Sequence, residues 1–295
     1  MIALALSFAL HAPPVFRAEV GLVILQATVK NGRGEVVRNL DRGAFTVYEN
    51  GKPQTVTLFH RDDVSVSLGI AIDNSGSMRR KRAKVEAAAL ALVRASNPQD
   101  EVFVLSFGDK PRLDVPFTSD VSVLEAGLHR GDAIGGTAMR DAVQTAEEYL
   151  GAHAVRERKV LLVVTDGNDN ASVTSMARIR QEVERSGTVV HAIGLLADND
   201  PDKARRARNE LTELTEASGG LAYFPGSVEE VGEVALDLAG QIRSQYTIGY
   251  SPSNQALDGS YRKLRVVARG PERLTVRTRS GYRAAPSAAG DLAER

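Results

Sequence analysis

Residues 67–78 read SLGIAIDNSGSM, and this stretch decides the fold. SLGIAI is a continuous apolar run, the pattern of a strand buried on both faces of a parallel sheet. It stops at Asp73-Asn74-Ser75-Gly76-Ser77. In an open parallel sheet, ligands bind in the crevice at the carboxyl ends of the strands, so Asp73, Ser75 and Ser77 stand where a site is expected. Alternate positions of an extended turn point the same way, and Gly76 lets the chain bend between them.

Outward from this stretch, strands alternate with helices. Lys81–Ser96 has Val85, Ala88, Ala89, Leu92 and Val93 on one side, the spacing of a helix. EVFVLSF (101–107) reads as a strand, and LDVPFT (113–118) as an edge strand beside it, since Pro116 is excluded from the centre of a sheet. Helices are expected over Thr137–Leu150, Ser175–Arg185 and Arg205–Ala217, and strands at KVLLVVTD (159–166), VVHAIGL (189–195) and LAYF (221–224). Val228, Val231, Ala235, Leu238 and Ile242 then mark a long amphipathic helix. The fold class is α/β, a doubly wound, mostly parallel sheet with helices on both faces.

The flanks have a different texture. VGLVILQATV (20–29), the turn cluster NGRGE (31–35) and AFTVYENGKPQTVTLFH (44–60) read as strands, the last one folded at Asn50-Gly51. YTIGYSP (246–252), YRKLRVVAR (261–269) and LTVRTRSGY (274–282) follow the α/β block. Neither flank has enough strands for a stable sheet alone, and together they offer about six, near the size of a small sandwich. The expected organisation is a truncated signal segment at 1–17, an N-terminal β segment at 18–62, the α/β domain at 63–245, a C-terminal β segment pairing with the first at 246–284, and a disordered tail at 285–295.

Composition excludes several classes of function. Lys plus Arg and Asp plus Glu are 37 each, and aromatic residues are 5%, so a nucleic-acid partner is not expected. Cysteine is absent, which removes thiolate nucleophiles, zinc–thiolate sites and iron–sulfur clusters. IALALSFAL (2–10) has the length of a signal core and lacks a preceding basic residue. It points to export, to the periplasm, cell surface or medium; if it is not a signal, the protein is cytoplasmic. No run reaches membrane-spanning length.

KVLLVVT also ends in a carboxylate, Asp166, and Gly135-Gly136-Thr137 adds a hydroxyl on a glycine loop ahead of a helix. The set Asp73, Ser75, Ser77, Thr137 and Asp166 is all oxygen, the preference of Mg²⁺ or Mn²⁺, with Ca²⁺ a further hard cation of this kind. Asp73 and Ser75 have the residue types of helix caps, but capping explains neither Thr137 nor Asp166. The five histidines are scattered, and His191, inside an apolar strand, reads as a hydrogen-bonded core residue. Arg79-Arg80-Lys81-Arg82 reads first as a solvated helix face and second as a positive rim for an acidic partner. Asp169, close in sequence to Asp166, reads first as a turn residue and second as a support behind the ligands.

AIDNSGSM, GGTAMRDA and VVTDGND resemble, in order, the three loops of the metal-ion-dependent adhesion site of von Willebrand factor type A (VWA) domains. The resemblance covers Val64 to Gln245, and the flanks look like a bacterial group of exported VWA-related proteins. It implies that Ser75, Ser77 and Thr137 ligate a dication through their hydroxyls, that Asp73 and Asp166 act mostly through bound waters, and that a partner's Asp or Glu carboxylate completes the shell. It also implies coupling between the site and the helix Val228–Gln245. The expected function is a metal-dependent protein-binding module without enzymatic activity. The alternatives are an envelope component whose metal only stabilises the fold, and a metal-dependent hydrolase. Against an enzyme, Ser75 stands where a haloacid-dehalogenase-like phosphatase has its second Asp. The nucleophile-elbow, P-loop and dinucleotide glycine patterns are also missing.

Overall fold

A computed structural model gives the structure of the chain over residues 21–61, 63–128, 135–167, 169–197 and 200–284. The signal segment and the tail expected from the sequence lie outside the described residues.

The N-terminal flank forms β1 (Val23–Lys30), β2 (Phe45–Glu49), β3 (Lys52–Gln54) and β4 (Val56–His60). Asn50 and Gly51 make the β2–β3 turn with φ of 48° and 80°, the left-handed pair a tight hairpin requires. The α/β block begins with β5 (Val66–Asp73) and α1 (Arg82–Ala95), joined by a 3₁₀ turn over Gly76–Arg80. It continues with β6 (Glu101–Phe107), β7 (Pro111–Thr118), α2 (Val121–Leu128), α3 (Met139–His153) and β8 (Arg158–Thr165). Then come α4 (Met176–Ser186), β9 (Val189–Gly194), α5 (Pro201–Ser218), β10 (Ala222–Tyr223) and α6 (Val231–Arg243). The C-terminal flank adds β11 (Tyr246–Tyr250), β12 (Tyr261–Ala268), β13 (Thr275–Arg277) and β14 (Gly281–Arg283).

The central sheet has the order β10-β9-β8-β5-β6-β7. Its pairings are parallel except that of β6 with β7, which is antiparallel and irregular between Val102 and Val104, opposite the stretch holding Pro116. β5 is buried along its whole length. Its Val66, Leu68, Ile70 and Ile72 pack with α1, α2 and α6 on one face, while Ala71 joins Phe103 and Leu105 against α3, α4 and α5 on the other. Gly69 is required here, because a Cβ on it would stand 2.5 Å from the Phe103 ring. The chain leaves β5 toward β6 on one side and returns to β8 on the other, so the switch point of the sheet lies between the carboxyl ends of β5 and β8.

The flanks intermix. One four-stranded sheet is β13-β1-β11-β4 and the other is β14-β12-β2-β3, so each holds strands from both ends of the chain. Their inner faces share one core that includes Leu25, Val29, Val47, Tyr246, Ile248 and Val266. LTVRTRSGY is two strands rather than one: β13 pairs with β1 in the first sheet and β14 with β12 in the second.

Candidate metal site

Each expected ligand stands at a strand or helix edge. Asp73 is the last residue of β5 and Asp166 follows β8, on the two sides of the switch point. Asp73, Ser75, Thr137 and Asp166 are buried, and Ser77 is exposed. Ser75 Oγ lies 3.1 Å from Ser77 Oγ, and Ser77 Oγ donates to Asp166 Oδ1 at 2.7 Å. Ligand oxygens on adjacent corners of an Mg²⁺ octahedron, with bonds of about 2.1 Å, are roughly 3 Å apart. The two serine hydroxyls therefore have the spacing of neighbouring octahedral corners, with Asp166 hydrogen-bonded behind Ser77, and the oxygen donor set fits a hard dication.

Asp73 is oriented by its surroundings. Its Oδ1 accepts from Ser75 N–H at 2.8 Å and its Oδ2 from Thr165 Oγ1 at 2.6 Å. Burial pushes its carboxyl up to about 6, opposed by the Thr165 and Ser75 hydrogen bonds and reinforced by the negative charge of Asp166. Ser75 precedes the 3₁₀ turn, but its side chain makes no capping bond to it. Its hydroxyl is thereby left to Ser77.

The Gly-Gly-Thr loop is braced against both neighbours. Gly76 N–H donates to Gly135 O at 3.4 Å, Gly136 N–H to Asp109 Oδ1 at 2.7 Å, and Thr137 N–H to Asn170 Oδ1 at 2.9 Å. Gly135 has φ of 92°, and a Cβ there would stand 2.5 Å from the Asp109 carboxylate. Thr137 Oγ1 is 3.8 Å from the Cβ position of Gly167, so its hydroxyl lies beside the loop that carries Asp166. Asp169 accepts Arg140 N–H in the first turn of α3 at 2.8 Å and Ser172 Oγ–H at 2.6 Å. It is a turn residue, as the sequence indicates, and it also caps a helix.

The basic run is not a solvated face. Arg79 and Arg80 are exposed, but Lys81 and Arg82 turn inward. Lys81 Nζ lies 2.9 Å from Asp166 Oδ2, and Arg82 reaches Asn74 Oδ1 at 2.6 Å and Leu128 O at 3.0 Å. Helical periodicity does not extend to Lys81, because the 3₁₀ turn before α1 has a different pitch and resets the direction of its side chains. Thr165, Asp109 and Asn170 were also missed. Only Thr165, next to Asp166 at a strand end, had a positional signal.

Among the described residues no group of three or more His, Cys, Asp or Glu is placed to hold a metal, so an ion here depends on the hydroxyls. His191 is a core residue: its Nδ1 accepts Leu221 N–H at 3.1 Å, and burial pushes its pKa down to about 3, helped by the charges of Arg277 and Arg158.

Residues 68–168 match the family model of the von Willebrand factor type A domain. The α/β block has the VWA fold. A VWA protein from Catenulispora acidiphila superposes with a TM-score of 0.55 at 16% identity, over 95% of this chain and 78% of that one, so the likeness extends over both flanks. An aerotolerance-related membrane protein from Bacteroides fragilis gives 0.51 at 19% identity, over 60% of this chain and 98% of that one. Proximal thread matrix protein 1 of the mussel byssus, in a structure with its adhesion-site motif occupied by zinc, gives 0.51 at 15% identity, over 66% and 49%. At these identities the likeness is one of fold. No curated protein matches the chain.

Proposed function

We propose that the VWA domain binds a protein partner through a divalent cation held by Asp73, Ser75, Ser77, Thr137 and Asp166. The observation that carries this reading is the convergence of the Ser75 and Ser77 hydroxyls, 3.1 Å apart, with Asp166 hydrogen-bonded behind Ser77, at the switch point of the sheet. Mg²⁺ suits such an oxygen set, and the adhesion-site motif of the byssus protein is occupied by a dication, zinc. Direct ligation by neutral hydroxyls leaves the ion with much of its charge, so an anionic group is drawn to the remaining position. A partner Asp or Glu is that group. The domain does no chemistry on its partner, and the apolar run at 2–10 sends the protein out of the cytoplasm. Among the described residues no helix is long and apolar enough to cross a membrane.

Titration calorimetry of the purified protein with MgCl₂ and MnCl₂ is expected to show one site, absent in Asp73→Ala. Capture of partners from an envelope extract is expected to need Mg²⁺ and to be lost with chelator. Capture that persists in chelator would instead favour a metal that only stiffens the fold, and turnover of a phosphate or acyl ester would make the protein an enzyme.

A further inference from the structure

Lys81 is a charged neighbour of the site, in direct contact with Asp166, that the binding reading does not use. Its ammonium lies 2.9 Å from Asp166 Oδ2, with the two side chains 14% and 0% exposed. The other oxygen of that carboxylate accepts from Ser77 Oγ, so both oxygens of Asp166 are engaged within the protein. Lys81 Nζ also approaches Leu195 O at 3.4 Å, at the end of β9. The local chain aims it there: the 3₁₀ turn is anchored by the fully buried Met78, and Lys81 N–H closes the turn on Met78 O.

We propose that Lys81 is a tethered cation that holds Asp166 when the site carries no ion and raises the dication concentration needed to load it. The inference rests on the metal reading above. A carboxylate removed from water is costly unless a counter-charge meets it, and Lys81 is that counter-charge. The five expected ligands carry two negative charges, on Asp73 and Asp166, and the ammonium offsets one of them. An arriving dication thus meets about half of the attraction that its ligands alone would exert. It must also share the Asp166 carboxylate with a like charge, at short range and with little water to screen it. Arg82 does not take over this role, because its guanidinium is committed to Asn74, Glu86 and Leu128 O.

The test compares wild type with Lys81→Gln, Lys81→Met and Lys81→Arg by calorimetric titration of the full chain with MnCl₂ and MgCl₂, and by thermal melts with and without chelator. The two neutral variants are expected to bind Mn²⁺ roughly tenfold or more tightly than wild type, and Lys81→Arg to stay near wild type. In chelator the neutral variants should melt below wild type and regain the difference when Mn²⁺ is added, a pattern that mere loss of a structural contact does not produce. Lys81→Gln retains a donor for Asp166 and keeps the comparison available if Lys81→Met fails to fold. Tight binding by the neutral variants with none by wild type supports the proposal in its strongest form. If wild type binds an ion and the neutral variants bind it no more tightly, Lys81 does not compete and the metal reading stands without it. If none of the four binds either ion, the metal reading has failed and this inference falls with it.

Discussion

Glu147 shows what a single buried carboxyl does to this protein. It sits on α3 facing the sheet, where Thr188 Oγ1 donates to its Oε2 at 2.8 Å while its Oε1 has no partner among the described residues. Burial pushes its pKa from 4.5 up to about 7, against the hydrogen bonds of Thr188 and Ser186. The native state therefore binds more protons than the unfolded chain between these two values. By linkage, stability falls as pH rises through that window and is level above it. The shift corresponds to up to about 3 kcal/mol. Glu147→Gln keeps an acceptor for Thr188 and removes the titration. Urea melts from pH 5 to pH 8 should show a steeper fall in wild type than in the variant, which keeps the contribution of Asp73, with the variant more stable at pH 8. Parallel pH profiles would exclude this assignment.

Among the elements, the strands of the two flanks are tied by one carboxylate. Glu49, at the end of β2 and buried, accepts from Tyr250 Oη on β11 at 2.7 Å and from Tyr282 Oη on β14 at 2.8 Å. Burial and the adjacent carboxylate both raise the pKa values of the two phenols, so they remain donors. Tyr250→Phe and Tyr282→Phe should each cost about 1–2 kcal/mol in urea unfolding, and Glu49→Ala more than either, since it takes the acceptor from one buried and one half-buried hydroxyl. Losses below about 0.5 kcal/mol in all three would show that the clamp is idle. None of this was legible in the sequence, where Glu49 is one residue of a hairpin strand. What was legible follows from local physics. β5, β6, β8 and β9 announce themselves as apolar runs, Pro116 as an edge, and Asn50-Gly51 as a turn. α2 went unseen because Val121 and Val123 dilute an eight-residue helix that Asp120 caps through Ser122 N–H. α5 begins at Pro201, ahead of the apolar spacing, because Asp200 caps it by accepting Asp202 and Lys203 N–H. Of the proposed ligands, Asp73, Ser75 and Ser77 stand out because their spacing is local, and Thr137 and Asp166 because each sits at the edge of a legible helix or strand. Lys81 and Asp109 were not, since only the folded chain brings them to Asp166 and Gly136.

On the scale of the whole molecule, the hydrophobic cores do not mix. The two clusters astride the central sheet draw only on residues between Val66 and Ile242, and the sandwich cluster draws only on the flanks. Among the described residues, polar contacts and close backbone packing join the two bodies. Arg277 Nε–H donates to Gly220 O at 2.7 Å, Arg283 pairs with Glu184 at 3.3 Å, and Gly219, with φ of 84°, admits the Arg279 backbone where a Cβ would stand 2.3 Å from its nitrogen. Residues 63–245 cut out alone should therefore fold and melt in one cooperative transition. A fragment that expresses only as a molten or aggregated species would show that the sandwich is part of its fold.

Arg158, at the start of β8, reaches Val64 O on the incoming connection at 3.3 Å, and Ile242 O and Gln245 Oε1 on the outgoing one at 2.8 and 2.7 Å. Both tethers of the VWA domain thus leave from one end of the sheet, and the proposed ligands lie at the other, roughly 25 Å away along β8. A pull applied through a bound partner and resisted by the sandwich runs along β5, which is held by seven residue pairs to β6 and seven to β8. Those ladders yield only by sliding, many bonds at once, whereas a sideways pull opens them one after another. Optical-trap rupture from a handle at Ser77 should need distinctly more force than rupture from a handle at Arg206 on α5, with the C-terminus as the common anchor. Equal forces would rule out this load path. The proposed partner, held on such an axis, would load the two β5 ladders in shear.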